Sequence, residues 1–234
     1  MLQAILLNKA GRNISTKEVH WRELFRASED SLTSTVIGTL LYLPSPLFWQ
    51  ILNRSCYGQV CFQVSSKIET VSFWPRWRDT NDSLIEPDVF IRTSEFDLII
   101  EAKRFDDKQQ YEGQWLKELS AYFNDFSEDN KKVFFIAMGG IYNENIEEFQ
   151  VNSKRAVVIK CRWFRLLNEI KLQLATLENK EYSNYDDSAK RILKDIISGF
   201  GIHGYSTGTW FGDQDFSKLI PISLNPSLQD TLFV

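Results

Sequence analysis

From residue 28 to residue 44, the apolar positions Leu32, Val36, Ile37, Leu40 and Leu41 fall three and four apart, the period of one helix face. Ser28 followed by Glu29, Asp30 and Ser31 sets the start of that helix, a capping hydroxyl with acids in the first turn, and Pro44 marks where it stops. From Gly58 to Phe73 the residues alternate and are rich in Val, Ile, Phe and Thr, which predicts two strands with a turn near Ser65 and Ser66. Residues 87–92 and 97–103 read as strands of a hairpin. Between residues 109 and 126, Trp115, Leu116, Leu119, Tyr122 and Phe123 return to helical spacing, and Val133 to Met138 then forms a buried strand ending at Gly139-Gly140. A short helix around Glu144 to Phe149, a strand from Ala156 to Cys161 and an amphipathic helix from Trp163 to about Leu177 complete the series. Helix, strand meander, helix, strand, helix, strand, helix is the order of an α/β domain with a mixed sheet and helices on both faces.

The pattern changes after residue 178, so the chain divides into a domain over residues 1–178 and a C-terminal extension over residues 179–234 packed on that core. Residues 181–187 are polar and turn-forming, Ala189 to Ser198 reads as a helix, and Gly199, Gly201, Gly204, Gly208 and Gly212 lie among aromatics. No Gly-Lys-Ser or Gly-Lys-Thr follows them and no strand leads in, so this is a loop-rich wrap and not a phosphate-binding loop.

A chain of 234 residues is long enough to bury a substantial core. Its longest apolar runs, such as Val36 to Leu43 and Val133 to Met138, fall short of the roughly 20 residues of a membrane helix. No basic segment leads into a signal-peptide core, so a cytoplasmic location is expected, with no membrane partner. Cys56, Cys61 and Cys161 repeat no C-x-x-C spacing and read as reduced thiols. With only His20 and His203 available, chemistries that need several imidazoles are not expected, and carboxylates must carry any catalysis. A net charge of −4 argues against coating nucleic acid by bulk electrostatics, yet leaves room for a local basic lining. Lys154, Arg155, Lys160, Arg162 and Arg165 form the densest basic stretch, and Arg76 and Arg78 alternate with Trp74 and Trp77.

If the hairpin is centred between Ser94 and Glu95, Asp88 stands opposite Glu101. Facing residues have Cβ atoms roughly 4.5–5.5 Å apart, where two ionised carboxylates repel unless a cation lies between them. Side-chain alternation puts Lys103 on the same face as Asp88 and Glu101, and Leu98, Ile100 and Ala102 on the other, so one face is expected to be catalytic and the other core. Oxygen ligands in this number suit Mg²⁺, with Mn²⁺ able to substitute. A bound divalent ion polarises a phosphoryl oxygen and acidifies a water, and Lys103 could orient that water or stabilise the developing charge.

Glu86-Pro87-Asp88, thirteen positions before Glu101-Ala102-Lys103, resembles the signature of the PD-(D/E)xK, or restriction-endonuclease-like, nuclease superfamily. The resemblance implies a core of helix, three-stranded meander, helix and strand (α-βββ-α-β) over roughly residues 20 to 160. It also implies a metal-dependent endonuclease that hydrolyses phosphodiester bonds, most directly in DNA, in bacterial or phage defence or DNA processing. An acid of the preceding helix joins the metal site in many members; Glu29 is the best match and Asp30 the second, giving Glu29, Asp88 and Glu101 as metal ligands. The following helix often turns a glutamine toward the site, here Gln114, with Glu118 one turn on. The helicase-nuclease branch has a tyrosine at the position of Glu118, and here Tyr122 comes a turn later, so the subfamily stays open. The partners expected are DNA and either a second copy of the chain, since a two-fold pair cuts both strands of a duplex most simply, or a targeting protein. The alternative is a catalytically silent subunit that binds nucleic acid or a protein partner.

Overall fold

Ser28, extended at φ −84° and ψ 129°, accepts a hydrogen bond from Ser31 N at 3.1 Å and starts the helix that the apolar spacing demands. Glu29 and Asp30 fall in its first turn, where the helix dipole favours acids. The computed structural model of the chain describes residues 21–58, 62–63, 65–79, 82–126, 128–129, 131–179 and 184–207. In it this helix, α2 (Glu29–Leu40), lies between α1 (Trp21–Ala27) and α3 (Ser45–Ser55). The spacing gave no sign of α3. Pro44 reads as a stop, and it is one for α2, but it is also the residue before α3, whose first turn holds Pro46 where no intrahelical N–H is needed.

Six strands form the central sheet in the order β1-β4-β5-β6-β8-β7: β1 (Ile68–Phe73), β4 (Val89–Thr93), β5 (Phe96–Ala102), β6 (Lys132–Met138), β8 (Lys154–Cys161) and β7 (Glu147–Val151). A separate ribbon pairs β2 (Trp77–Arg78) with β3 (Leu84–Ile85). β5, β6 and β8 run parallel, while β1, β4 and β7 join antiparallel, so the sheet is mixed. Alternation along the strands feeds two cores. Val89, Ile91, Leu98 and Ile100 pack under α2, α3, α5 (Trp163–Glu178) and α6 (Asn184–Ile202). Phe90, Ile99, Phe135 and Val158 pack under α4 (Glu112–Asp125), with Trp77 of the ribbon. The chain is therefore an α/β fold with helices on both faces of a mixed sheet, and both faces of β5 are core. The division into a catalytic face and a core face applies only at the carboxyl end of that strand.

One expectation is corrected. Residues 147–151 form the edge strand β7 instead of a short helix: Glu147, Phe149 and Val151 are half-buried and Glu148 and Gln150 exposed, a period of two. Asn152 and Ser153, with φ of 51° and 63°, make the tight turn that returns the chain into β8. Of the two strands expected from Gly58 to Phe73, the described residues contain one, β1; residues 59–61 and 64 lie outside them. At Phe62 the backbone is taken by a side chain, since Asn53 accepts from Phe62 N at 2.7 Å and donates to Phe62 O at 2.9 Å.

α6 belongs to the expected extension, and its Ala189, Leu193, Ile196 and Phe200 are buried in the same core as α2 and α5. Residues 208–234, with Gly208 and Gly212, lie outside the described residues, as do Cys61 and His20. Cys56 and Cys161 are buried free thiols. Among the described residues no helix is long and apolar enough to cross a membrane.

Candidate active site

β4 and β5 pair as Val89 with Ile100, Phe90 with Ile99, Ile91 with Leu98 and Arg92 with Asp97. That register carries Asp88, one residue before the first pair, to the level of Glu101. The Asp88 carboxylate is fixed by two donors: Ala102 N at 2.7 Å on one oxygen and Trp74 Nε1 at 3.2 Å on the other. Trp74 reaches it from the left-handed backbone conformation (φ 49°) that ends β1, with its own N–H on Asp88 O at 2.9 Å. On the α4 side, Oε1 of Glu101 accepts from both Lys103 Nζ and Gln114 Nε2. Glu29 crosses from the start of α2: its Oε2 accepts from Arg104 N at 2.7 Å and its Oε1 lies 3.7 Å from Lys103 Nζ. Asp88, Glu101, Lys103, Gln114 and Glu29 thus meet at one end of β5. Asp30 is exposed and is not brought in.

Burial and mutual repulsion set the charge of this site. The Asp88 carboxyl is pushed up to about 7, chiefly by burial and then by Glu101, against the opposing Ala102 N–H. Burial also raises Glu101, although Lys103 and Gln114 favour its ionised form. Lys103 is held above its ordinary value because the carboxylates Glu101, Glu29 and Asp88 outweigh its own burial. Glu118, one turn beyond Gln114, is driven well above the ordinary carboxylate range by burial and by Glu101, and its buried Oε2 has no hydrogen-bond partner. Tyr122 does not join; its hydroxyl donates to Asp97 at 2.8 Å, at the other end of β5.

Four carboxylates therefore surround one ammonium in a largely buried space, a surplus of negative charge that must take up protons or a cation. Oxygen donors of this kind fit a hard divalent ion such as Mg²⁺ or Mn²⁺. Among the described residues, however, no three acids, thiols or imidazoles form a ready-made metal cage. Lys103 occupies that role between Glu101 and Glu29.

Gln110 carries no sequence signal, sitting before α4 outside any periodic pattern, yet it is fully buried and donates to Glu101 O at 2.8 Å while accepting from Trp115 Nε1 at 2.7 Å. It locks the backbone that presents Glu101. Gly139 and Gly140, with φ of 68° and 62°, lock the next stretch: Lys103 N donates to Met138 O at 2.7 Å and Gly140 N to Phe105 O at 2.6 Å. A Cβ on Gly139 would lie 2.5 Å from Lys103 O and 2.8 Å from Phe105 O. Gly139→Ala is expected to cost about 2 kcal/mol or more, read as a lower urea midpoint. Gly113→Ala, whose Cβ meets only the Tyr111 ring at 3.5 Å, is the control and should be neutral or slightly stabilising; equal effects of the two would show that the Gly139 turn is not constrained as described.

The basic stretch seen in the sequence is dispersed by the fold. Lys160 is buried with its ammonium 4.0 Å from the Trp115 ring centroid and 3.2 Å from Glu147, and Arg155 pairs with Glu148. Arg165 donates to Ser55 O at 2.9 Å and lies over Tyr57, and Arg162 is 3.4 Å from Asp107. Arg76 and Arg78 pair with Glu86 and Asp82.

No family model matches the chain. Over 234 residues it is 26% identical to an uncharacterized protein of Pasteurella multocida (strain Pm70), covering 96% of this chain and 89% of that one. A chain in the tetradecameric assembly of Thermococcus gammatolerans McrB AAA+ hexamers with bound McrC aligns with 65% of this chain at 12% identity and a TM-score of 0.27. This chain spans 32% of that one, and a likeness so weak bears on neither fold nor activity.

Proposed function

We propose that the protein is a metal-dependent phosphodiesterase of the PD-(D/E)xK, restriction-endonuclease-like kind that cuts nucleic acid, DNA in the first place, in defence or DNA processing. The observation that carries the reading is the meeting of Asp88, Glu101 and Lys103 with Glu29 at the end of one strand, four groups drawn from three elements and spread over 75 residues of chain. The order α2, β1, β4, β5, α4, β6 supports it, since it supplies a helix, a three-stranded meander, a helix and a parallel strand.

Glu29, Asp88 and Glu101 are the residues that would hold Mg²⁺ or Mn²⁺. When bound, such an ion polarises a phosphoryl oxygen and lowers the pKa of a coordinated water. Lys103 offers a preorganised ammonium to the negative charge that develops on the phosphate, at an end of the strand where burial strengthens the interaction. Gln114 orients the Glu101 carboxylate, and Gln110 fixes the backbone beneath it. Burial and the neighbouring Glu101 push Glu118 toward its neutral form, which limits the charge that a cation has to balance.

Purified protein incubated with circular and linear DNA is expected to cut in Mg²⁺ or Mn²⁺ and to stop on addition of EDTA, followed on gels. Intact DNA with every divalent ion tried would remove the hydrolytic reading and leave the silent binding subunit in its place.

A further inference from the structure

Beside Glu29 the surface opens into a cavity of about 830 Å³, lined among others by Arg26, Glu29, Arg104, Phe105, His203 and Tyr205. That volume is within the ~300–1,000 Å³ of small-ligand sites. Three distant parts of the chain build it: the end of α1, the residues after β5 and the end of α6. Arg104 ties them together, since its Nε and Nη2 donate to Arg26 O at 3.1 and 2.8 Å and Nη2 also donates to His203 O. A guanidinium fixed in this way is a flat plate. Its centre lies 5.3 Å from the Phe105 ring centroid and 5.9 Å from that of Tyr205.

Phe105 leaves 62% of its surface exposed two residues after Lys103. His203 is only 3% exposed, and neither of its ring nitrogens makes a well-formed hydrogen bond among the described residues, although the backbone of Arg26 and Ser31 lies close. Burial and the Arg104 charge push it down to about 4, so a neutral, buried ring forms this part of the cavity wall. Glu23, Glu29 and Asp106 outnumber Arg26 and Arg104 around the cavity. That lining repels a phosphate group, and it suits an uncharged, planar heterocycle with a polar edge.

We propose that this cavity takes one unpaired nucleobase next to the phosphodiester that a cation at Glu29, Asp88 and Glu101 would bind, which makes single-stranded or frayed nucleic acid the preferred substrate class. The inference deepens the phosphodiesterase reading and rests on it for the neighbouring phosphate. A base inside a duplex has no free face for the exposed Phe105 ring, so it must leave the stack to enter.

The test is fluorescence anisotropy of labelled 12-nucleotide probes in Ca²⁺, which supports binding without turnover: oligothymidylate, a fully abasic strand of the same length and a blunt duplex. Wild-type protein is expected to bind oligothymidylate roughly tenfold tighter than either competitor, the scale of one stacking contact. Phe105→Ala, at an exposed position that folding does not need, should erase most of that margin and leave the abasic strand unchanged. Equal affinity for oligothymidylate and the abasic strand, no binding of either, or an unchanged margin in Phe105→Ala overturns the proposal. Digestions of the same probes in Mg²⁺ separate the two readings. Base-dependent binding without cleavage keeps the cavity and ends the hydrolytic reading, whereas cleavage indifferent to the bases does the reverse.

Discussion

Asp88→Asn and Lys103→Ala are each expected to lower phosphodiester cleavage by roughly a thousandfold or more, the scale of removing one preorganised electrostatic group or a metal ligand. The two variants fail for different reasons. Asp88→Asn keeps one oxygen for either Ala102 N or Trp74 Nε1, so the strand end stays folded while the ionised ligand is lost. Lys103→Ala leaves Glu101 and Glu29 without their ammonium, and the Glu101 carboxyl, already raised by burial, is pushed further up. Raising the pH or the Mg²⁺ concentration should therefore recover part of the binding of the lysine variant but none of its rate. Gel assays over a Mg²⁺ series, with circular dichroism to verify folding, provide the measurement. Cleavage at a wild-type rate by either variant would remove these residues from the chemistry.

The part of this site that lies on the β4–β5 hairpin was legible because alternation and register are local properties. A turn centred between Ser94 and Glu95 places Asp88 against Glu101, and the observed pairing of Val89 with Ile100 has that same phase. Glu29 came from the resemblance, which asks for an acid of the helix before the meander, and Ser28 marks where that helix begins. What escaped has no local period. β7 is an edge strand whose run of acids resembles a helix surface, and α3 starts at a proline that reads as a stop. Lys160 counted toward the densest basic stretch, though its neighbours Val157, Val158, Ile159 and Cys161 mark a strand buried in a parallel sheet. Gln110 and the cavity beside Glu29 depend on segments brought together only by the tertiary fold, and no spacing along the chain announces them.

Without a divalent cation, the stability contributed by Asp88 is expected to fall as the pH rises from about 4 to about 7. Its carboxyl titrates near 3.8 when unfolded and near 7 when folded, so between those values the folded state binds more protons and stability decreases with pH. A shift of that size corresponds to something on the order of 4 kcal/mol, and Glu101 and Glu118, also raised, act in the same direction. His203 acts oppositely, since its folded value is depressed to about 4 and its contribution is lost as pH falls from 6.5 toward 4. The total curve mixes the two, but the difference between wild type and Asp88→Asn cancels His203. That difference in melting temperature should grow across the window from about 4 to about 7, with the wild type losing ground. Mg²⁺ binds the deprotonated acids and stabilises the folded state by mass action, so it should raise the melting temperature of the wild type far more at pH 8 than at pH 5 and that of Asp88→Asn little at either. A difference that does not change with pH, or a Mg²⁺ effect as large at pH 5 as at pH 8, would mean that the surplus of buried carboxylate at the end of β5 is not what the cation neutralises.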